Sequence, residues 1–245
     1  MIIKFCLIIP MIAMIILSLS PRLSYPVNPF LAEKKTVVLD PGHGGDDHGV
    51  QGPAGTLEKE VALSLTKLMA SRLQKDYQAT LTRSGDYRID IMNRTAMANH
   101  LKADLFISIH SGGSFLHQAK GINIFYFKQL SGLALETGTD SSKQKNEGRS
   151  LTLWNNIQAK HIASSKKLAE IMQKHLNSQL DFSISNIQQA DLMVLKGADM
   201  PAILIEVGYL TNPGDEKKLQ NPEVLSAFAR VICSGIDDYF QKSKR

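Results

Sequence analysis

Three apolar runs in this chain end in residues that bind metal ions or move protons. VVLDPGHGG (37–45) presents His43 after the strand-like Val37, Val38 and Leu39 and the abrupt stop Asp40-Pro41-Gly42. LFISIH (105–110) ends in His110, and AILIEVG (202–208) carries Glu206 near its end. In open α/β sheets, ligand and catalytic groups gather outside the carboxyl ends of the strands. Two histidines and a glutamate at three such ends point to one metal site and a hydrolytic reaction. Such a site needs three protein ligands and an open position for water. The ion lowers the pKa of that water toward about 7, and a separate carboxylate carries its proton to the leaving nitrogen. His43 and His110 supply two ligands. Glu58, opening the helix after the first strand, is the natural third, and Glu206 is left as the base.

Each residue also has a plainer reading. Glu58 suits the positive end of its helix, as Glu60 does. His43 reads equally as a loop histidine, and His110 as a satisfied core histidine. Glu206 is the hardest to explain away: a carboxylate inside an apolar strand is costly unless paired or metal-linked, and no basic residue adjoins it in sequence.

The elements that must position these groups follow from periodicity. TLEKEVALSLTKLMASRL (56–73) predicts a helix with Val61, Leu65, Leu68 and Leu73 on one stripe. ATLTR (79–83) reads as a strand, residues 90–101 as a helix, and GINIFYF (121–127) as another strand. SKKLAEIMQKHLNSQL (165–180) has helical spacing, and Asn221-Pro222 opens a helix over 222–240. Strands alternating with helices predict a single α/β domain. Its sheet is mostly parallel and twisted, with helices on both faces and the active site at the strand carboxyl ends. That domain is placed at 36–241. A long insert at 128–162 interrupts it, where connections usually run about 4–6 residues. The insert reads as a lid or docking element, or as a surface loop packing Trp154.

Composition narrows the setting. The chain has 245 residues and a formal charge of +5, and setting aside Lys4 and Arg22 of the leader region leaves 26 basic against 23 acidic residues. That balance is too mild to argue for nucleic acid. Phe5 to Leu19 is uncharged and almost wholly apolar, short for a spanning helix and suited to a signal-peptide core. Residues 1–20 are therefore a signal peptide or an uncleaved anchor, 21–35 a linker, and the working domain is exported, to the periplasm or cell envelope of a bacterium. Membrane contact is expected only through an uncleaved leader. Cys6 lies in the leader and Cys233 is alone in the remainder, so a metal here is held by histidine and carboxylate, without thiolates.

Several motifs together, VVLDPGHGG, LEKEVALS, LTRSGDYRIDIMNRTAMANHLKADLFISIH and VLKGADMPAILIEVGYLTNP, resemble the zinc-dependent N-acetylmuramoyl-L-alanine amidases of the type 3 catalytic domain family, over roughly 36–240. The resemblance implies one Zn²⁺ held by His43, Glu58 and His110, and Glu206 as the catalytic carboxylate. It implies hydrolysis of the amide joining the muramic acid lactyl group to L-alanine of peptidoglycan, in wall turnover or cell separation. The competing readings are a catalytically silent wall-binding or regulatory domain and a zinc peptidase acting within the stem peptide. Two departures stand out. The family usually continues "SIH" with Ala-Asn, whereas here Ser111-Gly112-Gly113-Ser114 follows, and His48 stands where proline is common. His48 reads as a solvated loop residue, and His100, His117, His161 and His175 as surface or helix-face residues. Arg83 and Arg94 match family positions and are expected to pair with carboxylates such as Asp86 or Asp104. The insert lies where some members carry a helix covering the active site until an activator protein displaces it, which implies the same role for 128–162.

Overall fold

The apolar runs form adjacent strands of one sheet, and their alternation sets what lies on each face. In the computed structural model, which describes residues 34–128, 147–182 and 184–242, the order along the chain is β1 (Thr36–Pro41), α1 (Glu58–Leu73), β2 (Gln78–Leu81), α2 (Ile91–His100), β3 (Leu105–Gly112), β4 (Ile122–Phe127), α3 (Glu147–Gln179), β5 (Ile184–Ala190), a 3-10 turn (Met193–Leu195), β6 (Ala202–Tyr209), α4 (Pro213–Leu219) and α5 (Pro222–Lys242). The sheet order is β2-β1-β3-β6-β4-β5. Strands β2, β1, β3 and β6 run parallel; β4 pairs antiparallel with β6 and parallel with β5. These elements belong to one unit that begins at Lys34.

Successive side chains of a strand point to opposite faces. Val37, Leu39, Leu105, Ile107, Ile109, Ile203, Ile205 and Val207 therefore share one face and pack under α1, α3 and α5 in the larger core. The other face begins apolar, with Val38, Phe106, Ala202 and Leu204 meeting Ala98 of α2 and Val194 and Leu195 of the 3-10 turn. Two residues further along the same strands it turns polar: Asp40 follows Val38, Ser108 and then His110 follow Phe106, and Glu206 follows Leu204. The chemistry thus sits at the carboxyl edge of the face covered by α2.

The expected helices are present, with small changes of boundary. The largest concerns the insert. The helix expected at 165–180 runs without a break from Glu147 to Gln179, so the later part of 128–162 is the beginning of α3. Residues 129–146 of the insert, and the leader and most of the linker in 1–33, lie outside the described residues. Strand β5 was not anticipated. ISNIQQA has no two apolar residues at alternate positions, and as an edge strand, bonded among the described residues only to β4, it needs no second apolar face. Helix α4 was also missed; Asn212 caps it, its side chain accepting from the Gly214 and Asp215 amides, with Pro213 at its first position. Cys233 is buried and free, and burial pushes its thiol up to about 12.

Candidate metal centre

The loop after β1 must leave the sheet sharply to bring His43 over its edge. Gly42 donates its amide to the Ile109 carbonyl at 2.9 Å, prolonging the β1–β3 pairing by one bond. His43 then takes φ +59°, a left-handed conformation uncommon outside glycine, followed by Gly44 at +132° and Gly45 at +62°. A side chain on Gly42 would collide with the His110 ring, and one on Gly49 with Glu58 and His43. These glycines let the loop lie directly on the ligands.

A loop leaving a sheet turns carbonyls inward, and buried carbonyls need donors. Arg83 and Arg94 supply them. Arg83 donates to the carbonyls of Pro41 (3.1 Å), Gly42 (2.7 Å), Lys59 (2.8 Å) and Gly85 (3.1 Å). Arg94 bonds the Asp40 carboxylate at 2.8 Å and the carbonyls of Pro41, His43 and Ile89 at 2.7, 3.0 and 3.2 Å. The expected ion-pair role holds for Arg94, though its carboxylate is Asp40, and is corrected for Arg83, whose hydrogen bonds go to carbonyls. Asp86 is taken by Lys59 at 2.8 Å and Asp104 by Lys35 at 2.7 Å.

Glu58 opens α1 with its side chain turned away from the helix and only 1 % of the residue exposed. Its Oε2 accepts from the Val50 amide (2.8 Å) and lies 3.1 Å from His43 Nε2. Its Oε1 accepts from the Ser111 amide (3.0 Å) and lies 2.9 Å from His110 Nδ1. Burial works to raise the Glu58 pKa, but the bonds and charge of His110 and His43 outweigh it and hold the carboxyl well below its ordinary range. Its partners are thus imidazoles and distant amides, and the simple helix-end reading does not describe it. One donor atom each from His43, Glu58 and His110 lies within 4.8 Å of the others. Two imidazoles and one carboxylate converging in this way fit the donor set of a hydrolytic zinc site.

Glu206 sits opposite His110 in the β3–β6 register. With His43, Glu58 and His110 it lines a cavity of about 350 Å³, closed by Val50, Gly113 and Phe125 among others. Burial raises its pKa, against the lowering effect of a hydrogen bond from Asn123. The four residues singled out in sequence therefore share one cavity. His48, His100 and His117 are exposed; His161 and His175 pair with Asp199 and Asp238. The departure at Ser111-Gly112 has a local reason: a side chain at Gly112 would strike the Tyr209 ring.

Two polar partners escaped the sequence reading. Asn123, inside the apolar β4, donates to Glu206 Oε2 at 3.0 Å and to the Tyr209 hydroxyl at 2.7 Å. Asp47 Oδ1 lies 2.8 Å from His43 Nδ1, the nitrogen that faces away from Glu58. A carboxylate on the far nitrogen fixes a ligand histidine's tautomer and ring orientation. Its four-residue spacing from His43 was the available signal. Asp47→Ala is expected to weaken metal binding about 10–100-fold, read by competition with a chromophoric chelator at fixed pH.

Over residues 37–238 the chain matches the family described as N-acetylmuramoyl-L-alanine amidase. It is 32% identical over 221 residues to N-acetylmuramoyl-L-alanine amidase AmiA of Escherichia coli K12, covering 84% of this chain and 76% of the relative. It is 30% identical over 219 residues to N-acetylmuramoyl-L-alanine amidase AmiC of Escherichia coli O6:H1, covering 83% of this chain and 52% of that longer relative. Among solved structures, N-acetylmuramoyl-L-alanine amidase AmiC2 of Nostoc punctiforme superposes with a TM-score of 0.69 at 29% identity, covering 86% of this chain and 99% of that one. With the sheet, the convergent donors and the match across nearly the whole described unit, the chain belongs to the N-acetylmuramoyl-L-alanine amidase family.

Proposed function

We propose that the protein is an exported zinc hydrolase that cleaves the amide between the muramic acid lactyl carbonyl and L-alanine of peptidoglycan, in wall turnover or cell separation. The observation that carries this reading is the single cavity lined by Glu206 and by the donor atoms of His43, Glu58 and His110. Those three residues would hold one Zn²⁺, which when bound supplies Lewis acidity at the scissile carbonyl and lowers the pKa of water. Imidazole and carboxylate donors suit zinc, and the family resemblance is what favours it in this reading over the other divalent ions such donors hold.

The chain's own residues do the rest. Glu206 accepts the proton of the attacking water and passes it to the alanine nitrogen as the carbon–nitrogen bond breaks. The products are a free lactyl carboxylate and a stem peptide beginning with the L-alanine amine. Asn123 holds Glu206 Oε2 during both transfers, leaving Oε1 for the water. Glu58 stays ionised throughout, and Asp47 keeps the His43 ring turned to its place.

Residues 1–20 are proposed as the exporting leader, with the periplasm or cell envelope as the destination; among the described residues no helix is long and apolar enough to cross a membrane. An activator protein that relieves a cover formed by the 128–162 insert is part of the same proposal. The middle of α3 lies away from the metal donors: His161 and Ser165 gather with Phe127 around Ala202, at the end of β6 remote from Glu206.

Mass spectrometry of purified peptidoglycan digested by the chain without residues 1–20 tests the reading, with and without EDTA. Intact stem peptides beginning at L-alanine, lost with EDTA, support the amidase. Cleavage within the stem would make the protein a peptidase, and binding without cleavage a wall-binding domain.

A further inference from the structure

The metal centre opens on two sides. Besides the cavity holding Glu58 and Glu206, a second one of about 500 Å³ begins at the same His43 and His110 and shares Leu192 and Leu204 with the first. The two differ in chemistry. Each is lined by two carboxylates, Glu58 and Glu206 in the first and Asp47 and Asp90 in the second, but arginines line only the second. The second is floored by Ile89, Ile91, Met193 and Val194, with Arg88 among its lining residues.

Arg88 is the charged group of that lining left available to a ligand. Asp90 accepts the Met92 amide at the start of α2, Asp47 is engaged by His43, and Arg94 is bound to Asp40 and three carbonyls. The partner of Arg88 is Asp46 at 3.3 Å, with side chains 65% and 76% exposed. An ion pair that exposed contributes little, so a ligand carboxylate displaces it readily. The backbone of Arg88 is nevertheless fixed beside the metal loop. A side chain on Gly45 would come within 2.9 Å of the Arg88 amide nitrogen, and the Gly45 amide is itself bonded to Asp86 at 2.8 Å.

We propose that this second cavity is the subsite for the stem peptide, and that Arg88 selects a free carboxylate on the residue following L-alanine. The inference rests on the amidase reading above and extends it to which part of the substrate lies where. The alanine methyl rests on Leu192 and Leu204, and the next residue, at most about 3.6 Å further along the chain, enters the aliphatic slot. A guanidinium engages a carboxylate through two parallel hydrogen bonds, which a carboxamide does not reproduce. The sugar side is left to the first cavity.

The test is steady-state hydrolysis of two soluble muramyl peptides by the full-length protein, identical except that the second stem residue carries a free α-carboxylate or its carboxamide. Arg88→Ala is expected to raise KM for the free acid about tenfold with kcat little changed, to leave the carboxamide substrate unaffected, and to lose its effect in high salt. Arg88→Lys should recover part of the difference, and Asp46→Asn should lower KM for the free acid. Equal losses on both substrates, or none on either, would overturn the subsite while leaving the amidase intact. If the unaltered protein cleaved neither substrate, the amidase reading would fail, and the subsite with it.

Discussion

Glu206→Gln is expected to lower kcat for stem-peptide release by about 10²–10⁴-fold, the usual contribution of one positioned acid–base group, while bound metal stays stoichiometric. Glutamine keeps the volume of the side chain and an oxygen for the Asn123 amide, so the fold and the three donors are undisturbed. Only the proton carrier is gone. The pH profile should carry the same signature. Burial raises the Glu206 pKa from its ordinary 4.5, so the acid limb of kcat/KM is expected above that value, with activity lost as pH falls through it. Asn123→Ala removes the donor that favours the carboxylate and should move the limb further up. For stability the sign runs the other way. A carboxyl whose pKa is raised in the native state stabilises the fold below its unfolded pKa and ceases to do so as pH rises through the folded one. At neutral pH the glutamine variant is therefore expected to be at least as stable as the parent. An unchanged kcat in Glu206→Gln would remove the residue from the mechanism.

Arg94→Met is the substitution expected to damage the fold most. Asp40 is fully buried, with Ser108 Oγ at 2.7 Å and the Thr82 hydroxyl as its other partners, and the Arg94 guanidinium supplies its countercharge at 2.8 Å. Methionine fills much of the space and strands that carboxylate. Removing one partner of a buried pair costs about 3–5 kcal/mol, and the carbonyls of Pro41, His43 and Ile89 lose a donor as well. The measurement is the urea midpoint of the metal-free protein. Asp40→Asn in the Arg94→Met background should recover a large part of the loss, because it removes the stranded charge. A double-mutant cycle showing no coupling between positions 40 and 94 would assign the damage to the loop carbonyls instead.

What sequence makes legible here is whatever depends on one strand and its end. Leu39, Ile109 and Ile205 are apolar for reasons visible in their own runs, and the polar groups that follow them, His43, His110 and Glu206, stand out against that background. Glu58 was visible only as one of two glutamates at a helix start; its turn toward the histidines depends on the Val50 and Ser111 amides, which no local pattern places beside it. Asn123 is similar, since INIFYF reads as an apolar strand in either direction and only the antiparallel pairing with β6 brings residue 123 opposite 206. Arg83 misled because its partners are backbone carbonyls, which have no letter in a sequence, and Arg94 because its carboxylate, Asp40, lies inside the first apolar strand. The polar strand β5 escaped because an edge strand requires little of its residue types.

The unbroken run of α3 changes what kind of control the insert can exert. At about 1.5 Å per residue its 33 residues make a rod of about 50 Å. The eight residues of β6 cover about 27 Å. Its later turns are clamped in the larger core through Leu168, Met172 and Leu176, and His161 is already level with the start of β6. The turns before His161 belong to the same continuous helix. A protein gripping those turns would hold a handle rather than a plug: force or binding energy applied there reaches the metal edge only by shifting a helix embedded in the core. Control of that kind is allosteric, and it would appear as a change in kcat with the cleft equally open to small substrates.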